Sequence, residues 1–463
     1  MNLSAFKAYD IRGCIPDEIN EDLARAVGRA YAGFVKPKRV VVGHDMRLTS
    51  PALAAALTQG LLESGVDVYD IGLCGTEGVY YATAAGDGSG GAFDGGIMVT
   101  ASHNPPDYNG MKFVREGSRP ISADTGLKEM AAMIREGRLP PPAAQAGKRH
   151  TLDTRARYID HLLSYIDVSR LKPLKVVVDP GNGGAGPFVD LLAPHLPFEF
   201  IKVRHAPDGN FPNGVPNPML EGNRAPTIEA IRKHGADVGL AWDGDFDRCF
   251  FFDHTGRFIE GYYLVGLLAQ SFLEREPGAR IVHDPRLTWN TLDIVRTHGG
   301  VPVLCKSGHA FIKQKMREVD GAYGGEMSAH HYFRDFAYCD SGMVPWLLVL
   351  ERICASGKSL ADLVGERMRL FPCSGEINRR IPDVPGAIQA VQAHYAAQAT
   401  SVDHTDGLSM EFGDAWRLNL RGSNTEPLIR LNVEARGSEA LMQEKTAEVL
   451  ALLATRGAVA ADH

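Results

Sequence analysis

Three aspartates at alternate positions are the clearest chemical signal in this sequence. Asp243, Asp245 and Asp247 follow the apolar run 238–242, whose composition is typical of a buried strand. Carboxylates this close repel one another unless a cation lies among them, and Mg2+ prefers oxygen ligands. The pattern therefore predicts a Mg2+ site, with a solvated acidic turn as the alternative. The calcium-loop motif is not met, because Arg248 stands where that motif has glycine.

A serine in a second polar loop is a candidate nucleophile. The strand-like run 95–100 leads into a polar loop predicted at 101–110, and residues 100–105 read Thr-Ala-Ser-His-Asn-Pro. A serine at the end of a strand, among small and polar neighbours, is well placed to carry a phosphoryl group. Ser102 could instead be a turn or capping serine, because serine and asparagine are common in turns.

A third polar loop, residues 324–331, offers groups that bind sugar hydroxyls. Glu326 and Ser328 are two residues apart, so an extended segment turns both side chains to the same side. His330 adds a proton donor or acceptor. The alternative for this loop is a polar surface turn.

A fourth loop, residues 421–427, combines groups that bind phosphate. Arg421 offers a pair of parallel N–H donors beside a flexible glycine. Neutral donors follow at Ser423, Asn424 and Thr425. A hairpin that carries these side chains without a ligand is the alternative.

Two weaker candidates also follow strand-like runs. The segment 181–184, Gly-Asn-Gly-Gly, lacks the Gly-Lys-Ser/Thr ending of the P-loop, so a structural turn is favoured. His309 follows Ser-Gly after an apolar run, and by itself such a histidine is more often packed or on the surface.

The strand-like runs that end in these loops alternate with helix-like segments. Ser50 and Pro51 are typical of a helix N-cap and a first helical position, and an alanine- and leucine-rich segment follows them. Repeated alternation of this kind predicts three α/β units with mainly parallel sheets. The strand-like runs that support it are 39–43, 66–71, 95–100, 174–178 and 280–282.

The last hundred residues have a different pattern. A helical stretch around 387–397 precedes short strands at 416–420 and 428–433 and a final helix, which predicts an α+β unit. Breaks in composition, above all the proline-rich segment from 139 to 149, divide the chain. The predicted domains are 1–148, 149–253, 254–369 and 370–463.

Composition limits the classes of function. The chain has 463 residues, of which 44% are hydrophobic and 23% charged, as in ordinary globular proteins. A net charge of -7 disfavours binding to nucleic acid or anionic membranes. No signal peptide or membrane-spanning run is visible. The seven cysteines form no Cys-x-x-Cys pair, which is typical of reduced thiols in the cytoplasm.

Together the four loops resemble those of the α-D-phosphohexomutase family. In chain order they are similar to its phosphoserine, metal-binding, sugar-binding and phosphate-binding loops, and residues 6–13 resemble its N-terminal segment. The resemblance covers essentially the whole chain. It implies three related mixed α/β domains and a smaller C-terminal α+β domain around a central cleft, with one loop from each.

The sugar-binding loop resembles that of the bacterial phosphomannomutase/phosphoglucomutase branch, because Met327 lies between Glu326 and Ser328 and His330 follows. Arg286 departs from the family pattern, since many relatives have lysine at that position. Both are cations, but arginine offers a planar fork. The departure therefore bears on the range of substrates.

The resemblance implies roles for individual residues, with phosphorylated Ser102 as the resting enzyme. The implied ligands of one Mg2+ per chain are Ser102, Asp243, Asp245 and Asp247. The implied catalytic residues are Ser102, His103, Lys112, Arg12, Arg248 and His330. Four of these remain candidates for the general base: Lys112, Arg12, His103 and His330. The implied substrate-binding residues are Tyr9, Arg286, His309, Glu326, Ser328, Arg421, Ser423, Asn424 and Thr425.

The implied activity interconverts mannose 6-phosphate and mannose 1-phosphate, and also the glucose phosphates. A hexose 1,6-bisphosphate would be both intermediate and activator, in a cytoplasmic monomer or weak dimer that feeds GDP-mannose and polysaccharide synthesis. No nucleic-acid or membrane partner is expected. The alternatives are phosphoglucomutase as the main activity, a non-catalytic sugar-phosphate-binding protein, and an aspartyl phosphatase or mutase with Asp243 as nucleophile and Asp245 as acid.

Overall fold

The computed structural model describes residues 2–423 and 428–460. The chain forms two compact units. The first comprises Met1–Phe258 and His330–Gly357, and the second comprises Ile259–Ala329 and Lys358–His463. Within the described ranges, no helix is long and apolar enough to cross a membrane. All seven cysteines are free, as their spacing predicted.

The first unit begins with a seven-stranded sheet. Its strands are β1 (Ile11–Cys14), β2 (Arg39–His44), β3 (Asp67–Leu73), β4 (Gly95–Val99), β5 (Tyr108–Arg115), β6 (Arg119–Pro120) and β7 (Arg149–Thr151). Its helices are α1 (Glu21–Val35), α2 (Ser50–Glu63), α3 (Thr76–Ala85) and α4 (Leu127–Arg135). The strand order is β1-β5-β4-β2-β3-β7, with β6 beside β5. Val40, Val41 and Val42 are buried, as expected for a central strand covered on both faces.

A second sheet follows in the same unit. Its elements are α5 (Arg155–Leu163), β8 (Lys175–Asp179), α6 (Gly186–Leu192), β9 (Glu199–Lys202), α7 (Ala225–His234), β10 (Val238–Trp242) and β11 (Cys249–Asp253). The order is β11-β10-β8-β9, in which β8 is parallel to both neighbours and β11 is antiparallel to β10. The short strand β12 (Phe258–Ile259) lies at the boundary between the units.

The third α/β segment contributes to both units. Its elements in the second unit are α8 (Gly261–Arg275), β13 (Arg280–His283), α9 (Trp289–Thr297), β14 (Val301–Leu304), α10 (His309–Val319) and β15 (Tyr323–Gly325). Strands β14 and β15 run parallel to β13 on either side of it. Its elements in the first unit are the antiparallel pair β16 (His331–Phe333) and β17 (Cys339–Asp340) and the helix α11 (Val344–Ser356).

The second unit ends in an antiparallel sheet. The elements are α12 (Leu360–Leu370), β18 (Ile377–Arg380), α13 (Val384–Tyr395), β19 (Ser401–Asp403), β20 (Leu408–Phe412), β21 (Trp416–Gly422), β22 (Leu428–Ala435), α14 (Glu439–Ala454) and β23 (Val459–Ala460). The order is β19-β20-β21-β22-β18-β23. Alternate apolar side chains of β20, β21 and β22 form its core with the two helices α13 and α14.

The expected fold class, three mixed α/β segments and a C-terminal α+β segment, is confirmed. The first two sheets are mixed: β2, β3 and β4, and likewise β8, β9 and β10, are parallel as expected, while β5 and β11 run antiparallel to their neighbours. Two local expectations are wrong. The polar loop after β4 is shorter than expected, since β5 begins at Tyr108. Thr49 is the N-cap of α2, while the Ser50 hydroxyl donates to Asp45 Oδ1 at 2.5 Å.

Candidate active site

Ser102 lies in the loop between β4 and β5, which we call the serine loop (residues 100–107). Its backbone has a φ of +49°, which is uncommon for a residue with a side chain. Its N–H donates to Thr100 Oγ1 at 2.9 Å. Its hydroxyl donates to Asp243 Oδ2 at 2.8 Å and lies 3.1 Å from His103 Nδ1. The serine is therefore held against the first of the three aspartates.

The three aspartates lie between β10 and β11, in what we call the aspartate loop (residues 243–248). Asp243, Asp245 and Asp247 are buried, and one carboxylate oxygen of each lies within 4.8 Å of the others. Among the described residues, Asp245 Oδ1 and Asp247 Oδ1 are buried without a hydrogen-bond partner. Clustered oxygens of this kind fit a hard divalent cation such as Mg2+.

Gly244 allows the aspartate loop to approach the serine loop closely. A Cβ atom at this position would lie 2.4 Å from the carbonyl oxygen of Ser102. No side chain fits within that distance, so the position between Asp243 and Asp245 requires glycine.

Lys112, on β5, supplies the counter-charge to this cluster. Its Nζ donates to Asp245 Oδ2 at 2.7 Å and to Asp247 Oδ2 at 2.6 Å. Burial lowers the lysine pKa, but the two carboxylates outweigh it and raise the pKa above its ordinary value. Burial and the Asp245 charge raise the pKa of Asp247 to about 6. Lys112 therefore stays protonated and pairs with both carboxylates.

Thr76, the first residue of α3, also contacts Asp245. Its hydroxyl donates to Asp245 Oδ2, and its N–H donates to the Asp245 carbonyl at 3.1 Å. Burial opposes the ionisation of Asp245, but Lys112 and these hydrogen bonds outweigh it and hold its pKa below the ordinary range. Thr76 was not identified from the sequence, although it follows β3 at the same edge of the sheet as the serine loop.

Arg248 and His103 flank the contact between Ser102 and Asp243. The Arg248 guanidinium donates to Asp243 Oδ2 from Nε at 2.9 Å and from Nη2 at 2.7 Å. It also contacts His103 Nδ1. Burial and the Arg248 charge hold the pKa of His103 well below its ordinary value. His103 is therefore neutral, with Nδ1 facing a donor.

His330, Arg12 and Tyr9 are the remaining predicted residues of the first unit. His330 Nδ1 lies 3.0 Å from Asp340 Oδ2 and 3.9 Å from Asp247 Oδ1. Arg12 donates to Asn104 Oδ1 at 2.7 Å and pairs with Asp10. Tyr9 lies half-buried just before β1.

The second unit contains a different cluster, centred on Arg286. This buried side chain donates to Asp284 Oδ2 from Nε at 3.1 Å and from Nη2 at 2.6 Å. Nη2 also lies 3.3 Å from Glu326 Oε1 and 3.1 Å from Ser328 Oγ. Three residues predicted to bind substrate are thus in direct contact.

Glu376 joins Arg286 to two further arginines, and sequence reasoning did not find it. Its Oε2 accepts from Arg286 Nη1 at 3.4 Å and from Arg421 Nη2 at 3.2 Å. Its Oε1 accepts from Arg430 Nη1 at 3.2 Å. Burial opposes ionisation, but Arg430, then Arg286 and Arg421, outweigh it and lower the pKa of Glu376 to about 2. No local pattern marks this residue, because its partners come from three distant segments.

A buried ion pair holds the Arg286 segment against the C-terminal sheet. Arg417 on β21 donates to the carbonyls of Pro285 and Arg286 at 2.8 and 3.0 Å. It also donates to Glu434 Oε1 on β22 at 2.8 Å. Glu434 in turn accepts from the N–H of Thr288 at 2.7 Å. Within the second unit, the backbone around Arg286 is therefore fixed by groups from two strands.

His309 and Ser423 are the other described residues of the second unit that were predicted to bind substrate. His309 is the first residue of α10 and is half-buried, with Lys313 Nζ 3.4 Å from its Nδ1. The Ser423 N–H donates to the Leu428 carbonyl at 2.8 Å, which extends the pairing of β21 with β22 by one residue. Asn424 and Thr425 lie outside the described residues. The segment 181–184 forms a turn after β8, as expected for a structural glycine loop.

Four models of one protein family match successive parts of the chain. They describe phosphoglucomutase/phosphomannomutase alpha/beta/alpha domain I at residues 3–139, domain II at 156–256, domain III at 260–371 and the C-terminal domain at 376–452.

Curated proteins are similar over the full length. The chain is 62% identical to a protein named phosphohexose mutases from Xanthomonas campestris pv. campestris (strain B100), over 98% of this chain and 100% of that protein. It is 58% identical to a phosphomannomutase from Salmonella montevideo, over 98% and 99%. A solved phosphoglucomutase/phosphomannomutase family protein from Burkholderia thailandensis is 34% identical, with a TM-score of 0.88 over 99% of each chain.

Proposed function

The chain belongs to the phosphoglucomutase/phosphomannomutase family, and we propose that it moves a phosphoryl group between the 1 and 6 positions of mannose phosphate and of glucose phosphate. The observation that carries the proposal is the contact of 2.8 Å between the Ser102 hydroxyl and Asp243, inside a buried cluster of three aspartates. A nucleophile and a cation site are thus adjacent, as phosphoryl transfer requires.

Ser102 is proposed to carry the phosphoryl group in the resting enzyme. A substrate hydroxyl attacks the phosphorus, the bond to Ser102 Oγ breaks, and a hexose 1,6-bisphosphate forms. The bisphosphate then returns its other phosphoryl group to Ser102 after reversing its orientation. The same intermediate, supplied from solution, would phosphorylate newly made enzyme and act as an activator.

Asp243, Asp245 and Asp247 are the proposed protein ligands of one Mg2+ per chain, with a phosphate oxygen on Ser102 beside them. When bound, Mg2+ offsets negative charge on the transferring group. Arg248 donates to Asp243 from two nitrogens, which places a fixed positive charge beside Ser102.

His330 is the proposed general base among the four candidates. Arg12 cannot lose its proton, and Lys112 is held protonated by two carboxylates. His103 Nδ1 already faces the Arg248 guanidinium. By contrast, His330 Nδ1 lies 3.0 Å from Asp340 Oδ2 and 3.9 Å from Asp247 Oδ1, which places a titratable imidazole beside the aspartate cluster.

The arginines of the second unit are proposed to bind the phosphate that does not react. Arg421 would contact it, together with Ser423, Asn424 and Thr425, while Glu326, Ser328 and His309 would bind sugar hydroxyls. Tyr9 and Arg286 are also proposed to contact the substrate. The substrate must bind in two opposed orientations. We therefore expect these side chains to contact the 3- and 4-hydroxyls, which mannose and glucose share, and not the 2-hydroxyl, which distinguishes the two sugars.

Assays with mannose 1-phosphate, glucose 1-phosphate and glucosamine 1-phosphate, side by side, test this proposal. We expect turnover of the first two and poor turnover of the third, whose ammonium group changes charge as well as shape. A dedicated contact to the 2-hydroxyl would give a preference of about 10,000-fold or more in kcat/KM for mannose. That result would contradict the account of shared hydroxyls, and absence of turnover with all three would contradict the proposed function.

A further inference from the structure

A four-residue pattern, His-Asp-x-Arg, occurs twice in this chain. Residues 44–47 read His-Asp-Met-Arg and residues 283–286 read His-Asp-Pro-Arg. Each copy starts on the last residue of a strand, β2 in the first unit and β13 in the second. In each sheet, the neighbouring strand leads into a predicted functional loop. Strand β4 pairs with β2 and leads into the serine loop, and β15 pairs with β13 and leads into the sugar-binding loop.

The two copies have the same local geometry. In each, histidine Nδ1 lies close to the carbonyl of the following aspartate, at 2.9 Å in the first copy and 3.0 Å in the second. In each, the arginine N–H donates to the aspartate Oδ1 at 3.0 Å. Both arginines are buried, with 2% of the residue surface exposed. The turn is therefore one structural device that the chain uses twice.

The two guanidinium groups bind different partners. Arg286 contacts the side chains of the sugar-binding loop, Glu326 and Ser328. Arg47 lies 3.5 Å from Asp45 Oδ2 through Nε, and its described hydrogen bonds go to backbone carbonyls in or next to the serine loop. Nη1 donates to Pro105 at 2.7 Å and Tyr108 at 2.9 Å, and Nη2 donates to Asn104 and, at 3.0 Å, to Ser102 itself.

We propose that Arg47 is a positioning residue for phosphoryl transfer, which holds the Ser102 backbone in the conformation that presents its hydroxyl to Asp243. The proposal rests on the proposed role of Ser102 as phosphoryl carrier. Arg47 contacts Ser102 only at its backbone carbonyl, not at the hydroxyl that would carry the phosphoryl group.

The serine loop needs such a support because Ser102 has a φ of +49°. A non-glycine residue in this region is strained and persists only where its surroundings hold it. The planar fork of Arg47 bridges four carbonyls that span seven residues of chain. Lysine has a single point of charge and cannot reproduce that fork. The loop should therefore shift when Arg47 is replaced by lysine.

The duplicated turn supplies a matched control. Arg47→Lys and Arg286→Lys make the same change in the same local geometry, one under the serine loop and the other beside the sugar-binding loop. Each variant would be phosphorylated with glucose 1,6-bisphosphate and the phosphate on Ser102 measured by mass spectrometry. Rapid-quench transfer to saturating glucose 1-phosphate, the steady-state KM and thermal unfolding would complete the comparison.

We expect Arg47→Lys to slow single-turnover transfer by about 100-fold, the effect of misplacing a reacting group by about 1 Å. Its KM should stay within a few-fold of wild type. Arg286→Lys should act mainly through KM, because Arg286 contacts the side chains of the sugar-binding loop and not the serine loop. A transfer rate within a few-fold of wild type for Arg47→Lys, or the same kinetic change in both variants, would overturn the proposal.

If Arg47→Lys does not fold, Arg47→Gln, which keeps two N–H donors, takes its place with the same expectation. Failure of both to fold would show that Arg47 serves the fold alone and would overturn the proposal. If wild-type enzyme takes no phosphate on Ser102, the proposed function fails. If wild type is phosphorylated normally and Arg47→Lys transfers normally, only the role of Arg47 fails.

Discussion

Each of the two units contains a buried cluster of charged side chains, and the two clusters have opposite sign. In the first, two of the three buried aspartates, Asp245 and Asp247, share Lys112, while Asp243 pairs with Arg248. In the second, three arginines surround a glutamate, because Glu376 pairs with Arg286, Arg421 and Arg430. One cluster is suited to a cation, and the other to an anion.

The comparison shows why each cluster contains a residue of the opposite sign. Buried like charges without a counter-charge are costly, so a site built to bind a charged ligand must keep an internal partner when the ligand is absent. Lys112 and Glu376 have this role in their respective units. The difference lies in chemistry, since only the first cluster lies beside a nucleophile, Ser102.

Removing that nucleophile should have the largest effect. We expect Ser102→Ala to lose nearly all mutase turnover, because no other described side chain of the first unit is placed to carry the phosphoryl group beside Asp243. Thermal unfolding should be close to that of wild type, since the change removes only a hydroxyl group. Substantial turnover of a folded Ser102→Ala variant would contradict the distinction between the two units.

Breaking the aspartate cluster should come next. Asp245→Asn removes a metal ligand and a partner of Lys112, so Mg2+ dependence and activity should fall together. Because the three carboxylates act as one site, Asp245→Asn and Asp247→Asn combined should cost far less than the sum of the single effects. Activity that is unchanged after treatment with a chelator would exclude a metal role, whatever the variants show.

Truncating the second cluster should weaken substrate binding more than chemistry. Arg421→Ala removes a charge-assisted contact worth about 1.5–3 kcal/mol, so KM should rise by about 10- to 150-fold with a smaller change in kcat. Arg430→Ala is the matched control, because Arg430 shares Glu376 but lies outside the predicted phosphate-binding loop. An equal rise in KM for both variants would show that the predicted phosphate-binding loop does not bind the substrate phosphate in particular, and would contradict the role proposed for Arg421.

The smallest effect concerns stability at low pH. Burial opposes ionisation of Glu376, but its arginines lower its folded pKa from 4.5 to about 2. A lowered folded pKa adds stability above the unfolded pKa, and that stability is lost as the pH falls from about 4.5 towards 2. Between pH 6.5 and 3.5, wild type should therefore lose about 1 kcal/mol more of its free energy of unfolding than Glu376→Gln does. Urea denaturation at both pH values measures this, and equal losses would contradict the pairing.

Much of the site could be predicted because its residues come directly after strands in the sequence. Ser102 follows β4 of the first sheet and the three aspartates follow β10 of the second, and the carboxyl ends of strands in α/β sheets are where ligands bind. Local sequence thus identified groups that the structure brings into contact. The antiparallel β5 was missed because polar residues precede it, although Lys112 lies on it.

Residues that act through distant partners could not be found in the same way. Glu376 pairs with arginines from three separate segments, and nothing in its local sequence indicates a buried anion. Thr76 contacts Asp245, and Asp340 lies 3.0 Å from His330, through tertiary packing that the local sequence does not show. Arg47 differs from these, since the repeated His-Asp-x-Arg pattern was visible in the sequence and becomes meaningful once the two turns are seen to share a geometry.

The central claim is that Ser102 carries the phosphoryl group, and phosphopeptide mapping tests it most directly. Wild-type enzyme would be incubated with glucose 1,6-bisphosphate and Mg2+, digested and analysed by mass spectrometry, and then exposed to mannose 1-phosphate. The account predicts one acid-stable phosphate on Ser102 that is lost on exposure to the sugar phosphate. A stable phosphate at another residue, or an acid-labile phosphate on Asp243, would contradict it.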